Sequence, residues 1–270
     1  MFCGTELAAR IERAERDLLA AACANVRLRV PQVFTAAIGG GLAAITEPGS
    51  PLNKVAGLGF AAFDEGAWAA IEAEHVRRGV PIQVELATLA DPALGPFFSA
   101  RGHRVVGVEN VSGLALDGVP EPPRTAVAIT TAALDEWIDT MVTGFAAPDT
   151  QGVASHESFD REPLERVMRD FASAMGVHRF VARVGGEVAG AGAMRIGDAV
   201  AQLCGAATLP VFRRRGVQSA LLAHRLRHAR DAGCDLAVVT TQPGSKSQEN
   251  VQRRGFALLY SRIVLVRTPD

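Results

Sequence analysis

The sequence predicts an α/β (α+β) chain of two related units, each a mixed, mostly antiparallel central sheet flanked by helices. Three observations lead there. An apolar run, Cys234–Thr241, stands between two helical patterns, as a buried strand covered on both faces does. The stretch 177–209 is broken at Gly185-Gly186 and Gly197-Asp198, both good hairpin dipeptides, into three strands. The order helix, glycine, strand in Gly66–Ala87 returns in Ser219–Thr240.

Taken in order, the first half carries three consecutive glycines, Gly39 to Gly41, read as a flexible hairpin tip rather than a dinucleotide fingerprint, since no GxGxxG opens a helix. Ser50–Phe60 is a polar turn entering a strand. Its Asn53 and Lys54 are turn residues on one reading and pocket-lining residues on another. Asp117–Arg124 holds three prolines in eight residues, which continue neither a helix nor a central strand. It is expected to link a domain at 1–118 to a domain at 119–270.

In the second half, 124–131 reads as a strand, and 132–146 and 163–176 have helical apolar spacing. The hairpin strands follow, then an arginine-rich loop and a helix ending at Gly233. After the buried strand come a short helix over 245–254, stopped by Gly255, and a last strand over 256–267. The halves keep register: Gly79 and Gly233 are 154 residues apart, and Gly102 and Gly255 are 153 apart. Two copies at nearly the same offset suggest a duplicated unit and not a solenoid.

Composition excludes several classes. The 28 basic and 29 acidic residues leave a net charge of −1, so a general nucleic-acid surface is not expected. The four cysteines form no CxxC pair, which argues against a zinc site or disulfide framework. The first 22 residues carry charges throughout and lack a continuous apolar core, unlike a signal peptide. No run of 18 apolar residues exists for a membrane span. A cytoplasmic protein, monomer or homodimer, is the expectation.

The stretch Arg213–Leu222, RRRGVQSALL, sets three like charges at a strand-to-helix junction. The first N–H groups of a helix have no internal partner and form the positive end of its dipole. Cations placed there for stability alone stand at the wrong end. A phosphate relieves them, Gly216 lets its backbone approach, and Ser219 adds a hydroxyl. A solvated basic corner is the competing explanation. Shifted by 154, the loop falls on Gly59–Glu65, where Asp64 and Glu65 would repel a phosphate. Only the second half is expected to hold the anion.

RRRGVQSALL resembles the acyl-CoA pyrophosphate loop of the GCN5-related N-acetyltransferases (GNAT), Gln/Arg-x-x-Gly-x-Gly/Ala. Arg213 and Gly216 match, and Gln218 departs. Downstream, SQENVQRRGF resembles the family's second motif, a short helix closed by Gly-Phe. The resemblance covers about Arg124–Arg267, with the first half a degenerate copy in outline. It implies acyl transfer from acetyl-CoA, the donor substrate, to an amine acceptor, with no metal. It implies that Ala207, Thr208 and Leu209 pair with the pantetheine arm. The backbone of Arg215, Gly216, Val217, Gln218 and Ser219 would hold the pyrophosphate, with Arg213 and Arg214 around it and Asn250 near the pantetheine.

The family's usual acid, a tyrosine four residues before the Gly-Phe glycine, is Val251 here. Tyr260, the only tyrosine, is a candidate instead, against a reading as half-buried packing. No carboxylate lies on Ala199–Thr208 to act as base. His156 and Glu157, in a polar loop, are candidate acceptor contacts. Two other readings compete: a non-catalytic acyl-CoA-binding regulatory module, favoured by the missing tyrosine, and a nucleic-acid-contacting protein using the arginines, opposed by the charge balance.

Overall fold

The computed structural model describes residues 1–117, 126–147, 153 and 161–268. Beyond Asp117 the expected linker lies outside them. In chain order the elements are α1 (Thr5–Arg29), β1 (Phe34–Ile38), β2 (Gly41–Ile45), β3 (Lys54–Ala56), α2 (Glu65–Arg78), β4 (Ile82–Ala87), α3 (Leu94–Ala100) and β5 (Arg104–Ala115). There follow β6 (Val127–Thr131), α4 (Leu134–Phe145), α5 (Arg161–Ala172), β7 (Val177–Val184), β8 (Glu187–Gly197), β9 (Val200–Gln202) and β10 (Ala206–Thr208). A 3-10 turn over Pro210–Phe212 leads to α6 (Val217–Asp231), β11 (Leu236–Thr241), α7 (Lys246–Gln252) and β12 (Ala257–Arg267).

By packing, the chain forms two units. One is Phe2–Val111 with Leu258–Asp270; the other is Ser112–Ala257 with Met1. This partition differs from a division at 118/119. β5 crosses from one unit to the other, so that Leu114 and Leu116 pack into the second unit's core. The last strand, β12, packs with the first unit because its side chains are buried there.

The first unit's sheet runs β1-β2-β3-β4-β12-β5. β1–β2, β2–β3 and β4–β12 are antiparallel, and β3–β4 is parallel. Gly39 and Gly40, both at positive φ, form the two-residue turn between β1 and β2 that the glycine run predicts. One face packs Trp68 and Ile71 of α2 and Phe98 of α3 against Val84 of β4 and Leu265 of β12. α1 buries Ile11, Leu18, Ala22 and Val26, a helical stripe, together with Glu12. Arg262 of β12 is 2% exposed, with its Nε 2.8 Å from Glu12 Oε1. A buried guanidinium needs such a partner, so this pair ties β12 to α1.

The second unit's sheet runs β11-β9-β8-β7-β6, with β10 pairing β8. β9–β11 is parallel and the rest of its pairs are antiparallel. β7 alternates as a two-faced strand should. Phe180 and Ala182 pack under Leu221, Leu222 and Leu226 of α6. Val181 packs on the opposite face under Trp137 and Met141 of α4. The β7–β8 turn is Gly185-Gly186, as predicted. The β8–β9 turn is Asp198-Ala199, one residue later than predicted, with both residues at positive φ (49° and 58°). Asp tolerates that conformation; Ala pays a strain cost of about 1 kcal/mol.

Candidate functional site

The second unit's sheet is interrupted where β9 passes into β10. Opposite Ala193 and Met194 of β8 stand three residues, Leu203, Cys204 and Gly205, one more than a regular ladder takes. This is a β-bulge, with Gly205 at φ 66°. β9 pairs β11 up to Gln202 and Val238, and a last bond runs from Leu203 N–H to Val238 O. Beyond it β10 pairs only β8, so Val239–Thr241 and Ala206–Thr208 are no longer joined.

The ladder's phase fixes which backbone groups of β10 face that opening. Ala193 donates to Gly205 O and Leu209 donates to Ala189 O, each at 3.0 Å. Antiparallel residues alternate between bonded and non-bonded pairs. Ala207 therefore turns its N–H and C=O to β8, while Ala206 and Thr208 turn theirs outward. Of the three residues expected along a pantetheine arm, Thr208 presents its main chain. Ala207 and Leu209 spend main-chain bonds on β8, and Ala206 turns its own outward as Thr208 does.

Crowding holds β10 in position. A Cβ at Gly144 of α4 would fall 2.4 Å from Ala207 Cβ, and one at Gly190 of β8 would fall 2.6 Å from Ala207 O. Only glycine allows these approaches.

The arginine loop follows. Arg214 and Gly216 adopt positive φ (61° and 78°). Gly216 is the N-cap of α6, with no side-chain cap bond. Ala220 N–H, donating to Gly216 O, closes the first helical turn. Val217, Gln218 and Ser219 thus occupy the first turn, whose N–H groups lack helical acceptors. A Cβ at Gly216 would meet nothing within 4 Å, so the approach to the helix end is open. Gln218 is half-buried and Ser219 exposed.

The three arginines have different surroundings. Arg213, the residue matching the family pattern, donates through Nη2 to Ala147 O just past α4. Arg214 and Arg215 are exposed, with Arg215 Cζ 5.2 Å from the Phe212 ring centroid.

Two residues of this region were missed by sequence reasoning. Arg225 of α6 is 3% exposed and donates to Ala193 O, Gly205 O and Leu221 O. Burial pushes its guanidinium down to about 10. Its signal is a charge on the apolar stripe Leu221, Leu222, Leu226 and Ala229. Thr241, at the end of β11, is 5% exposed, and its Oγ1 has no hydrogen-bond partner among the described residues. Native interiors rarely leave a hydroxyl so.

The first unit fills the corresponding place differently. Asp64 caps α2, its Oδ1 accepting from Gly66 N–H at 2.8 Å and Ala67 N–H at 3.1 Å. A carboxylate of the chain occupies the donors a phosphate would need. Asn53 does turn chemistry: its side chain bonds Thr46 and Glu47 O. Lys54 Nζ lies 2.9 and 3.1 Å from the Glu85 oxygens. Burial opposes its charge, but Glu85, Glu15 and Glu109 outweigh it and hold its ammonium above the ordinary range.

The remaining expected residues are dispersed. Asn250 is half-buried on α7, and Val251 is buried in the core under α6. Tyr260 packs with the first unit, its hydroxyl 2.7 Å from Glu12 Oε1. Burial, then the Glu12 charge, pushes that phenol well above its ordinary value, and its hydroxyl is engaged by Glu12. His156 and Glu157 lie outside the described residues. Among the described residues no three His, Cys, Asp or Glu side chains group to hold a metal ion. No helix among them is long and apolar enough to cross a membrane.

Residues 140–256, which span the bulge, the loop and α7, match the family model "Acetyltransferase (GNAT) family". This stretch is similar to that family. No curated protein matches the chain by sequence. Among solved structures, a GCN5-related N-acetyltransferase from Kribbella flavida superposes with a TM-score of 0.70 at 18% identity, covering 98% of this chain and 96% of that one. A tandem GNAT protein from the clavulanic acid biosynthesis pathway gives 0.59 at 15% identity, over 92% and 88%. A functionally unknown conserved protein from Staphylococcus epidermidis gives 0.55 at 15% identity, over 77% and 82%. At these identities the likeness is one of fold: both units are GNAT-like, and the one with the uncapped helix is the second.

Proposed function

We propose that the second unit binds acetyl-CoA and transfers its acetyl group to a primary amine of a small acceptor. The observation that carries this reading is the uncapped N-terminus of α6, reached past Gly216 and bordered by Arg214 and Arg215. The N–H groups of Val217, Gln218 and Ser219 suit a pyrophosphate. The outward groups of Ala206 and Thr208 suit the amides of a pantetheine arm, which would lie between β10 and the free end of β11. The Asp64 cap supports one ligand per chain, in the second unit alone.

The chemistry asked of the site is modest. An unprotonated amine attacks the thioester carbon, the C–S bond breaks, and the CoA thiolate leaves with the electron pair. The acyl oxygen needs a donor while it carries charge, and an outward backbone N–H of β10 is suited to it.

The second reading is a non-catalytic acyl-CoA-binding module. Burial of Val251 where the family resemblance puts an acid, and the commitment of Tyr260 to Glu12, favour it. Titration calorimetry with CoA and acetyl-CoA, then thiol release with a panel of primary amines, tests both. One site per chain with amine-dependent release supports the transferase. Binding without release supports the module. No binding at low salt and millimolar ligand overturns both.

A further inference from the structure

We propose that Arg225 is a positioning residue of this site: it fixes the Gly205 bulge and, through the Gly205–Ala206 peptide, strengthens the Ala206 N–H that meets the thioester oxygen. The proposal rests on the acyl-CoA reading above.

The side chain has no carboxylate partner among the described residues. It reaches from α6 to the sheet, with Nη1 2.9 Å from Ala193 O and 3.4 Å from Gly205 O. Nε is 3.3 Å from Leu221 O on its own helix. Gly192 makes room, since a Cβ there would fall 3.4 Å from the guanidinium carbon. Ala193 O also accepts from Cys204 N–H at 3.2 Å, so one carbonyl gathers the bulge and the guanidinium together.

Burying a guanidinium against carbonyls alone is costly. The neighbours Leu221, Leu222 and Leu226 show that an apolar residue would suit the stripe. Even pushed down to about 10, the group stays charged at neutral pH. A charge held there acts on what it touches. A cation on the Gly205 oxygen draws electron density through the peptide and makes Ala206 N–H a stronger donor. That N–H faces away from β8, into the opening where β10 and β11 part. As the amine attacks, the C=O π pair moves onto the acyl oxygen. It returns as the C–S pair departs with the CoA sulfur, and the attacking nitrogen, cationic once the N–C bond has formed, gives one proton to solvent. Ala206 N–H faces the oxygen while it is charged, and Arg225 reinforces it from behind.

Arg225→Met, unbranched and adaptable, removes the charge and keeps the bulk; Arg225→Lys keeps the charge. Calorimetry with CoA and with acetyl-CoA on the wild type and both variants separates the possibilities, because the pyrophosphate site is common to both ligands. We expect Arg225→Met to leave the CoA Kd within about twofold and to weaken acetyl-CoA about fivefold. Amine-dependent thiol release should lose about tenfold in kcat, with KM for acetyl-CoA rising in step with its weakened binding. Arg225→Lys should recover part of each loss. Should the Met variant fail to fold, the Lys variant, with one donor group in place of the fork, should still show the smaller acetyl-CoA loss at constant CoA affinity. An unaltered acetyl-CoA to CoA ratio in the folded variants overturns the proposal alone, with Arg225 then core filling. A wild type that binds neither ligand overturns the acyl-CoA reading as well.

Discussion

Asp64 Oδ1 accepts the N–H groups of Gly66 and Ala67 at the start of α2, while Gly216, at the start of α6, offers no side chain to the donors beyond it. One helix satisfies its own N-terminus and the other has no side-chain cap. Arg215→Glu with Gly216→Glu should therefore abolish CoA binding in calorimetry with the fold intact by circular dichroism. Asp64→Ala should leave CoA affinity unchanged and cost about 1 kcal/mol of stability. A matching loss of CoA affinity in Asp64→Ala would place the anion in the wrong unit.

Thr241→Val tests the unpartnered hydroxyl. A buried oxygen without a partner costs about 1–3 kcal/mol, so its removal should hold or raise the melting temperature. If the hydroxyl serves the pantetheine arm, CoA affinity should fall about fivefold in the same variant. Higher stability with unchanged affinity would make Thr241 a packing residue.

Tyr260→Phe separates structure from chemistry. Its hydroxyl donates to Glu12, whose other oxygen, Oε2, is buried without a hydrogen-bond partner among the described residues. Loss of the donor should destabilise the protein by about 1–3 kcal/mol in urea unfolding. Thiol release per folded molecule should be unaffected.

Glu109 carries a pH dependence. Burial, and then the Glu85 charge, pushes its carboxyl up from 4.5 to about 7. A raised acid favours the folded state while protonated, so its contribution is full below pH 4.5 and lost as the pH rises through 7. Glu109→Gln, a mimic of the protonated form, should melt above the wild type at pH 8. That difference should shrink toward pH 4.5. A pH-independent difference would mean that Glu109 ionises normally.

The arginine loop, the glycine ends of α2, α6 and α7 and the glycine hairpins were legible because each rests on neighbours in sequence. The loop's polarity was readable too, since a helix end and three adjacent charges need no tertiary information. α1 was not foreseen, because its buried face mixes Glu12 and three alanines among its aliphatic residues and charges recur along the segment. The bulge at Leu203–Gly205 was invisible for a different reason. A one-residue excess exists only relative to β8, and β8's register follows from packing. The position of Tyr260 likewise depends on which sheet takes β12, and both sheets would accept an apolar strand. Arg225 left a trace, a charge within an apolar stripe, that reads equally as a snorkelling surface arginine until its burial is known.

The strand allocation bears on how the chain comes to be made. Tyr260 and Arg262, the partners of Glu12, are made some 250 positions after it. At synthesis rates of about 5–20 residues per second, α1 waits tens of seconds with an unpaired carboxylate facing its apolar stripe. The unit that holds Glu12 is thus completed only after Ser112–Ala257 has been made. A ribosome stalled after residue 257 should carry a protease-resistant second unit and a protease-sensitive first one.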